Sequence, residues 1–375
     1  MPATPKEIVI PADLKPADGR FGSGPSKVRP EAVRALADVA GSWLGTSHRQ
    51  APVKNVVGSV RRGLTELFAL PDGWEIVLGN GGTTSFWDAA TFGLVEEHSQ
   101  HLVFGEFSAK FAGAVAAAPH LKDPEIVESA TGTCPVAHAS GDVDLYALTH
   151  NETSTGVMTQ LVRPEGAAGI VAVDATSGAG GLRWDPAQVD VYYFAPQKAL
   201  ASDGGLWLAA CSPAGVERIQ RLAASGRWVP ASLDLGIALD NSTKDQTYNT
   251  PALSTLFLID QQLQWINGNG GIEFSAGRCD ASAANLYGWA DAREWASPFV
   301  TNPAERSHTV ATIDIADGID ANTICAVLRA NGIVDTDSYR KLGRNQLRIA
   351  LFPAIDPDDV RALTACIDFV VERLA

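Results

Sequence analysis

The chain has 375 residues, of which 46% are hydrophobic and 19% charged, and its net charge is −14 at pH 7. This length allows two domains around a sizeable core, and the composition is that of a globular protein rather than a disordered one. The acidic balance disfavours nucleic acid and anionic membranes as partners, and no apolar stretch is long enough to predict a membrane span.

The cysteines and the N-terminal residues indicate the cellular compartment in which the protein works. Five cysteines occur without C-x-x-C spacing, which indicates neither a disulfide framework nor a zinc site. Residues 1–16 carry prolines and charges and lack the apolar run of a signal peptide. We therefore expect a cytoplasmic protein with no metal ion at its site.

Short apolar runs alternate with stretches of helical spacing along the first part of the chain. The runs predict strands at residues 75–78, 101–104, 144–148, 169–173, 189–194 and 206–211, with a helix at 86–94. Strands that alternate with helices predict an α/β fold whose sheet is mainly parallel and flanked by helices. Ligands of such sheets bind at the carboxyl ends of the strands.

The pattern changes after Pro251. A long amphipathic helix is predicted at residues 252–266, and a second region follows the glycine-rich segment 268–271. There we predict an Ala-rich helix, strands at 309–315 and 346–352, a helix at 321–330, and a final helix capped by Asp356. The predicted organisation is an N-terminal arm at 1–20, a large domain at 21–266 and a smaller α+β domain at 267–375.

Two ionisable residues follow consecutive predicted strands. Lys198 comes after the strand at 189–194, and Asp174 directly follows the strand at 169–173. A lysine desolvated at the ligand end of a sheet suits Schiff-base chemistry, although a lone lysine there is more often a surface residue. Asp174 could cap the next helix, or it could pair with a protonated pyridine nitrogen.

Three other segments follow strands and offer polar or aromatic groups. Residues 79–85 are rich in Gly, Thr and Ser and open a helix, which indicates either an anion cradle or a tight turn with a cap. Residues 150–156 present several polar side chains. Phe107 could stack on a ligand ring or belong to the core.

Taken together, these segments resemble the phosphoserine aminotransferases, which are class V enzymes of pyridoxal-phosphate (PLP) fold type I. The resemblance extends from residues 21–25 to the last strand. Its most specific parts are residues 45–49, 150–156, 174–177 and 195–198. Residues 80–82 and the insertion at 340–346 resemble the actinobacterial subgroup.

The resemblance implies PLP as the cofactor and a homodimer as the assembly. Lys198 would form the Schiff base and shuttle protons, and Asp174 would pair with the pyridine nitrogen. The other implied cofactor contacts are Thr83 and Thr84 at the phosphate, Phe107 on the ring, Thr153 and Gln197 by hydrogen bonds, and Asn249 and Thr250 from the second subunit.

Four cationic residues are implied as substrate ligands. His48 and Arg49 would meet acidic groups of the substrate, Arg348 would clamp the α-carboxylate, and Arg340 would meet a phosphate. A guanidinium suits both anions because it binds them through a bidentate fork. Relatives often have a histidine before the phosphate-binding arginine, whereas Tyr339 stands there in this chain.

The implied reaction converts 3-phosphohydroxypyruvate and glutamate into phosphoserine and 2-oxoglutarate, as in serine biosynthesis, by a ping-pong mechanism. A second implied substrate is 4-phosphohydroxy-threonine of vitamin B6 synthesis. One alternative is a serine–pyruvate or alanine–glyoxylate aminotransferase, which needs no phosphate site. A cysteine desulfurase fits less well because Gln197, not a histidine, precedes Lys198. A PLP-fold protein that lost activity and binds a partner is the non-enzymatic alternative.

Overall fold

The computed structural model describes residues 8–374, so the first seven residues of the predicted N-terminal arm lie outside the described part. The strands are β1 Glu75–Asn80, β2 Ser99–Val103, β3 Glu125–Glu128, β4 Leu145–Thr149, β5 Asn151–Glu152, β6 Val157–Met158, β7 Ile170–Asp174, β8 Val191–Phe194, β9 Leu206–Cys211, β10 Ala296–Pro298, β11 Val310–Ile315 and β12 Gln346–Ala350. The helices are α1 Pro30–Trp43, α2 Ala51–Leu67, α3 Thr83–Gly93, α4 Glu106–Ala116, α5 Pro213–Ala223, α6 Leu235–Ser242, α7 Leu253–Gly268, α8 Gly271–Asp291, α9 Ala321–Ala330 and α10 Pro357–Leu374.

Seven strands form one large mixed sheet in the order β1-β9-β8-β7-β4-β2-β3. The pairs from β8 to β3 are parallel, and β9 runs antiparallel to both of its neighbours, β8 and β1. The other six strands therefore share one direction, so their carboxyl ends lie at a single edge of the sheet. We refer to this edge as the carboxyl edge.

The large sheet is buried on both faces. Alternate residues of β7 belong to different hydrophobic clusters: Val171 and Val173 pack with α2 and α7, whereas Ile170 and Ala172 pack with the α3 and α4 side. Strands covered on both faces read as continuous apolar runs because neither set of side chains meets water. This explains why β7, β8 and β9 were predictable from apolar runs in the sequence.

A second unit packs around the three-stranded antiparallel sheet β10-β11-β12. Helices α8, α9 and α10 supply most of the other residues of its hydrophobic cluster. Ile8 and Ile10 of the N-terminal segment are buried in the same cluster, and the Asn331 side chain binds the backbone of both residues. The predicted division into an arm and two domains stays a prediction, since Phe21 and Ala199 of the predicted large domain also belong to this cluster.

The predicted strands of the large sheet are confirmed, and their ends differ from the prediction by at most two residues. The structure also contains elements that were not predicted, namely α1, α2, α4, α5, α6, β3, β5, β6 and β10. Strand β3 alternates between half-buried and exposed residues at the edge of the sheet and therefore has no apolar run. No helix within residues 8–374 combines the length and apolarity needed to cross a membrane.

Gly79 tests how closely β1 packs on its neighbour. It lies opposite Trp207 in the β1–β9 register, and a Cβ atom at this position would overlap the indole ring. We expect Gly79→Ala to reduce the free energy of unfolding by about 1–3 kcal/mol, because overpacking strains a filled core. Urea denaturation followed by circular dichroism measures this change.

Gly288 provides the matched control for this substitution. It is an exposed residue of α8, and no atom lies within 4 Å of the position that a Cβ would take there. Gly288→Ala should leave stability unchanged or raise it by up to about 1 kcal/mol, because alanine favours the helix. Equal urea midpoints for Gly79→Ala and Gly288→Ala would contradict the packing described for β1.

Candidate active site

A cavity of about 370 Å³ opens at the carboxyl edge of the large sheet. Its wall consists of Ser23, Gly24, Pro25, Gly82, Thr83, Thr84, Trp87, Phe107, Thr149, Asn151, Thr153, Asp174, Thr176, Gln197, Lys198, Tyr339 and Arg348. A wider groove of about 520 Å³ lies around Cys134 and Arg163. We place the candidate site in the smaller cavity because it collects the buried ionisable side chains that follow β7 and β8.

Lys198 follows β8 and is almost fully buried, with 6% of its surface exposed. Its Nζ donates a hydrogen bond to Thr153 Oγ1 at 2.9 Å and lies 5.0 Å from the centre of the Phe107 ring. Burial lowers the pKa of Lys198 to about 8, and the negative charges of Asp174 and Glu152 partly oppose this shift. A substantial fraction of neutral, nucleophilic amine is therefore present near neutral pH.

Asp174 ends β7 and is also buried. Its Oδ2 accepts a hydrogen bond from Trp87 Nε1 at 3.1 Å, and its Oδ1 accepts one from the Thr176 backbone N–H at 2.9 Å. Burial raises the pKa of Asp174, while the hydrogen bonds from Thr176, the positive charge of Lys198 and the Trp87 donor lower it. The carboxylate is thus held in one orientation by donors on two elements.

The start of α3 lies at one end of the cavity and has the features of an anion-binding site. Gly82 precedes the helix without a side-chain cap, and Thr83 and Thr84 are its first residues. The first N–H groups of a helix have no intrahelical partner and carry the positive end of the helix dipole. Gly81 has φ +113, which favours glycine, and its N–H is tied to Gly205 O at 3.0 Å.

Several polar atoms of the wall have no partner within residues 8–374. They are Ser23 Oγ, Asn151 Oδ1, Gln197 Oε1 and Arg348 Nε. An unpaired buried polar group costs about 1–3 kcal/mol, so such a cluster indicates a polar ligand. Arg348 lies on β12, its Nη1 is 3.4 Å from Thr153 O, and its guanidinium is 5.2 Å from the Tyr339 ring.

This set of groups fits the cofactor that the sequence predicted. Asp174 is a carboxylate for a protonated pyridine nitrogen, Lys198 is an amine for an aldehyde, and the start of α3 is a cradle for a phosphate. Phe107 offers a flat apolar surface to a ring. Of the predicted cofactor ligands, the cavity therefore brings together Thr83, Thr84, Phe107, Thr153, Asp174, Gln197 and Lys198.

Five predicted site residues do not line this cavity: His48, Arg49, Asn249, Thr250 and Arg340. His48 Nδ1 lies 3.1 Å from Thr250 Oγ1, and Arg49 donates to Gln246 Oε1 at 2.7 Å. This group adjoins the end of β1, where Asn80 Nδ2 donates to Thr250 O at 3.2 Å. Burial and the charge of Arg49 lower the pKa of His48, which disfavours the protonated form near neutral pH.

Arg340 begins a short 3-10 turn, Arg340–Leu342, and is exposed. Its neighbour Tyr339 reaches the cavity, so the arginine lies near the mouth. The substrate role of the residues outside the cavity therefore remains a prediction.

The sequence did not identify Trp87 as a site residue. A signal was nevertheless present, because Trp87 is four positions after Thr83, and residues at this spacing share one face of a helix. Thr83 Oγ1 also lies 2.6 Å from Thr176 Oγ1, next to Asp174. Because Thr83 and Trp87 lie on one face of α3, a cavity lined by Thr83 is expected to be lined by Trp87 as well.

Comparisons with known proteins agree with this geometry. The family model described as aminotransferase class-V matches residues 21–336. A Nocardioides protein named phosphoserine aminotransferase is 59% identical over 370 residues, covering 98% of this chain and 99% of the relative.

Solved structures share the fold at low sequence identity. The crystal structure of a phosphoserine aminotransferase from Cytophaga hutchinsonii superposes with a TM-score of 0.86 at 22% identity, covering 94% of this chain and 99% of that one. A PLP-bound phosphoserine aminotransferase from Trichomonas vaginalis gives a TM-score of 0.78 at 17% identity, covering 94% and 99%. These likenesses confirm the predicted fold class, a mixed sheet flanked by helices with a smaller C-terminal region.

The lowered pKa of Lys198 predicts its reactivity in the cofactor-free protein. Only the neutral amine attacks trinitrobenzenesulfonate, so labelling of Lys198 should be half-maximal near pH 8. Asp174→Asn removes a negative charge that raises the pKa of Lys198, so the midpoint should move to lower pH. Peptide mapping assigns the label, and Lys198→Ala provides the blank.

The lowered pKa of Lys198 also makes the stability of the cofactor-free protein depend on pH. The unfolded chain binds the proton of Lys198 more tightly than the folded chain, so this residue destabilises the cofactor-free fold below about pH 8. The destabilisation fades as the pH rises from about 8 towards 10.5. A labelling midpoint at or above 10.5 would show that burial does not lower this pKa.

Proposed function

The chain belongs to the class-V aminotransferase family, and we propose that it transfers the amino group of glutamate to 3-phosphohydroxypyruvate, giving phosphoserine and 2-oxoglutarate. It is a PLP-dependent aminotransferase. The observation that carries the proposal is the convergence of Lys198, Asp174 and Arg348 in one cavity. We place the reaction in the cytoplasm and extend the proposal to 4-phosphohydroxy-threonine, which carries the same acidic groups.

PLP supplies an aldehyde that accepts amino groups and a protonated ring that stabilises negative charge on the adjacent carbon. Asp174 keeps the ring nitrogen protonated through a charge-assisted hydrogen bond. Thr83, Thr84 and the backbone at the start of α3 bind the phosphate. Thr153 and Gln197 hold polar groups of the cofactor, and Phe107 packs against its ring.

Lys198 performs the proton transfer. With the cofactor and an amino acid bound, the free amine of Lys198 would take a proton from the substrate α-carbon and deliver it to C4′ of the cofactor. In the cofactor-free protein the pKa of Lys198 is about 8, so this amine can both accept and release a proton near that pH. Both half-reactions use this one site, so ping-pong kinetics follow.

Arg348 is the cation proposed for the substrate α-carboxylate. It is partly buried and lines the same cavity as Lys198, and its Nε has no hydrogen-bond partner within residues 8–374. Both amino-acid substrates carry this carboxylate, so one arginine serves both half-reactions. Its guanidinium presents a fork that matches the two oxygens.

The distal acidic group of the substrate needs further cations, and we propose His48, Arg49 and Arg340 for this role. Arg340 lies next to Tyr339 of the cavity wall, and Arg49 lies beside the Thr250 loop. Because His48 and Arg49 lie outside the cavity of their own chain, we propose that they act at the site of a second subunit. Asn249 and Thr250 would reach the partner's cofactor phosphate from the same surface.

The surface around these residues is compatible with a two-fold interface. Leu44 and Tyr248 are large apolar side chains that are 48% and 44% exposed. They flank the segments that carry His48, Arg49, Asn249 and Thr250 in the chain. Exposed apolar groups of this kind are typical of subunit contacts.

Two alternatives are separated by substrate choice. A serine–pyruvate or alanine–glyoxylate aminotransferase would use Lys198 and Arg348 in the same way but would not need the distal cations. An inactive protein of the same fold would show no change of cofactor absorbance with any amino acid. Half-reactions with phosphoserine, serine and glutamate therefore distinguish all three functions.

The distal cations predict a preference for phosphorylated substrate. Wild type should have a higher kcat/KM for phosphoserine than for serine. Arg340→Ala should lower kcat/KM for phosphoserine about 10-fold, with a smaller effect on glutamate. Arg348→Lys keeps the charge but loses the fork, so it should lower kcat/KM about 10- to 100-fold for both substrates.

Arg344→Ala is the matched control in the same insertion, because this guanidinium is paired with Asp314 at 2.6 Å. It should leave the ratio of phosphoserine to serine turnover unchanged. An equal kcat/KM for phosphoserine and serine in the wild type would favour the serine–pyruvate alternative instead.

The proposed assembly predicts complementation between two inactive variants. Lys198→Ala disables the cavity of its own chain, and Thr250→Arg should disable the site of its partner. A mixed dimer would contain one intact site, so random mixing and refolding should restore about a quarter of wild-type activity. Steady-state turnover after refolding measures the recovery.

Mixing Lys198→Ala with Asp174→Asn is the control for this experiment. Both substitutions lie in the cavity of their own chain, so every site of a mixed dimer keeps one defect. Recovery in this control, or full activity of a monomer in sedimentation, would contradict composite sites.

A further inference from the structure

Helix α4 begins without a cap of its own. Gly105 precedes the helix and has no side chain to accept the free N–H groups of the first turn. These groups bind Glu152 of β5 and Ser154 of the turn that follows it instead. Glu106 N–H donates to Ser154 Oγ at 3.0 Å, and the N–H groups of Phe107 and Ser108 donate to Glu152 Oε2 at 3.0 and 2.9 Å.

Glu152 is fully buried, and both of its carboxylate oxygens are occupied. Oε2 also accepts from Ser108 Oγ at 3.0 Å, and Oε1 accepts from the backbone N–H and the hydroxyl of Ser154 at 3.1 and 2.7 Å. All of these partners are N–H or O–H groups rather than cations. A carboxylate so placed is stabilised by the hydrogen bonds and by the positive end of the α4 dipole.

The close approach of Glu152 to α4 depends on the glycine at position 105. A Cβ atom there would overlap the Glu152 side chain and would lie 2.6 Å from Ser154 Oγ. The φ of Gly105 is 176, an extended value that any residue adopts. Position 105 therefore requires glycine because the Glu152 side chain occupies the place that a Cβ atom would take.

The first turn of α4 carries groups that face the active-site cavity. Phe107 lines the cavity, with its ring 5.0 Å from Lys198 Nζ and 6.1 Å from the Tyr339 ring. Glu106 pairs with Lys341 of the segment that follows Tyr339, at 2.5 Å. Glu152 itself does not line the cavity. It contacts the backbone of Phe107, and through it fixes where the ring lies.

We propose that Glu152 is a positioning residue of the aminotransferase, which anchors the first turn of α4 and so holds the Phe107 ring against the cofactor. The proposal rests on the proposed function, because it assumes that PLP binds against Phe107. A carboxylate is required since Oε2 alone takes three donors and Oε1 takes two. Glutamine would present one oxygen and one amide donor, so one set of these donors would lose its acceptor.

Glu152→Gln tests the anchor without a change in side-chain size. Amide hydrogen exchange at residues 106–108 should accelerate about 10-fold or more in both the cofactor-free and the cofactor-loaded protein. The dissociation constant of PLP, measured by absorbance titration, should rise about 10-fold. Ser154→Ala removes a smaller part of the anchor and should show the same changes at a smaller size, even if Glu152→Gln fails to fold.

A double-mutant cycle tests whether Glu152 acts through Phe107. Phe107→Leu should by itself raise the dissociation constant of PLP about 10-fold, because the aromatic contact is lost. Adding Glu152→Gln to Phe107→Leu should then change the constant by no more than about 2-fold, since the ring that Glu152 positions is already absent.

Asp320→Ala is the matched control for loss of a helix cap. Asp320 accepts from the N–H groups of Asn322 and Thr323 at the start of α9, in the second hydrophobic unit. This variant should lower thermal stability but leave PLP affinity and exchange at residues 106–108 at the wild-type level.

The outcomes separate this proposal from the proposed function. The positioning role would be overturned if Glu152→Gln kept the amide exchange rates and the PLP affinity of the wild type. It would also be overturned if the two substitutions changed the PLP dissociation constant independently in the double variant. Wild-type PLP affinity in Phe107→Leu would also overturn the positioning role, because the ring would then not hold the cofactor. The proposed function would be unaffected by that result, since it rests on Lys198, Asp174 and Arg348. Faster amide exchange at residues 106–108 in Glu152→Gln, together with non-additive effects of the two substitutions on PLP affinity, would support the role of Glu152.

Discussion

The site depends on the parallel pairing of β7 with β8. This pairing sets Asp174 opposite Tyr193 and brings the segments that carry Asp174 and Lys198 to one edge of the sheet. Burial disfavours the charged form of each side chain, and the opposite charge of the other opposes that shift. Asp174 and Lys198 can therefore each carry a charge in a buried cavity because the opposite charge of the other residue is close by. The first turns of α3 and α4 supply the hydrogen bonds and the ring around this pair.

The part of the site that follows from strand order was predictable from sequence. Apolar runs located β7 and β8, and parallel strands place whatever follows them at a common edge. The amino-acid sequence alone was therefore enough to place Asp174 and Lys198 together. Their chemical roles came from the resemblance of short segments to a family, because strand order places residues without stating what they bind.

The remaining contacts depend on packing between distant segments and have no local signal. Glu152 of β5 meets the start of α4 although it lies 45 residues after Phe107 in the chain, and neither segment alone indicates the contact. Arg49 and Thr250 lie outside the cavity of their own chain although short segments around them match the family. Local similarity identified these residues, but their position relative to a site depends on tertiary contacts and, in the proposed dimer, on the second subunit.

The burial of Ile8 and Ile10 beside Asn331 constrains the order in which the protein can be completed during synthesis. Their hydrogen-bond partner Asn331 is translated more than 320 residues later, and Ala17 binds Asp359 later still. The strands of the large sheet end at Cys211, so that sheet can assemble while the N-terminal segment still lacks its partners. Ile8 and Ile10 therefore lack these partners until Asn331 has been made, and during that interval their apolar side chains are available to chaperones.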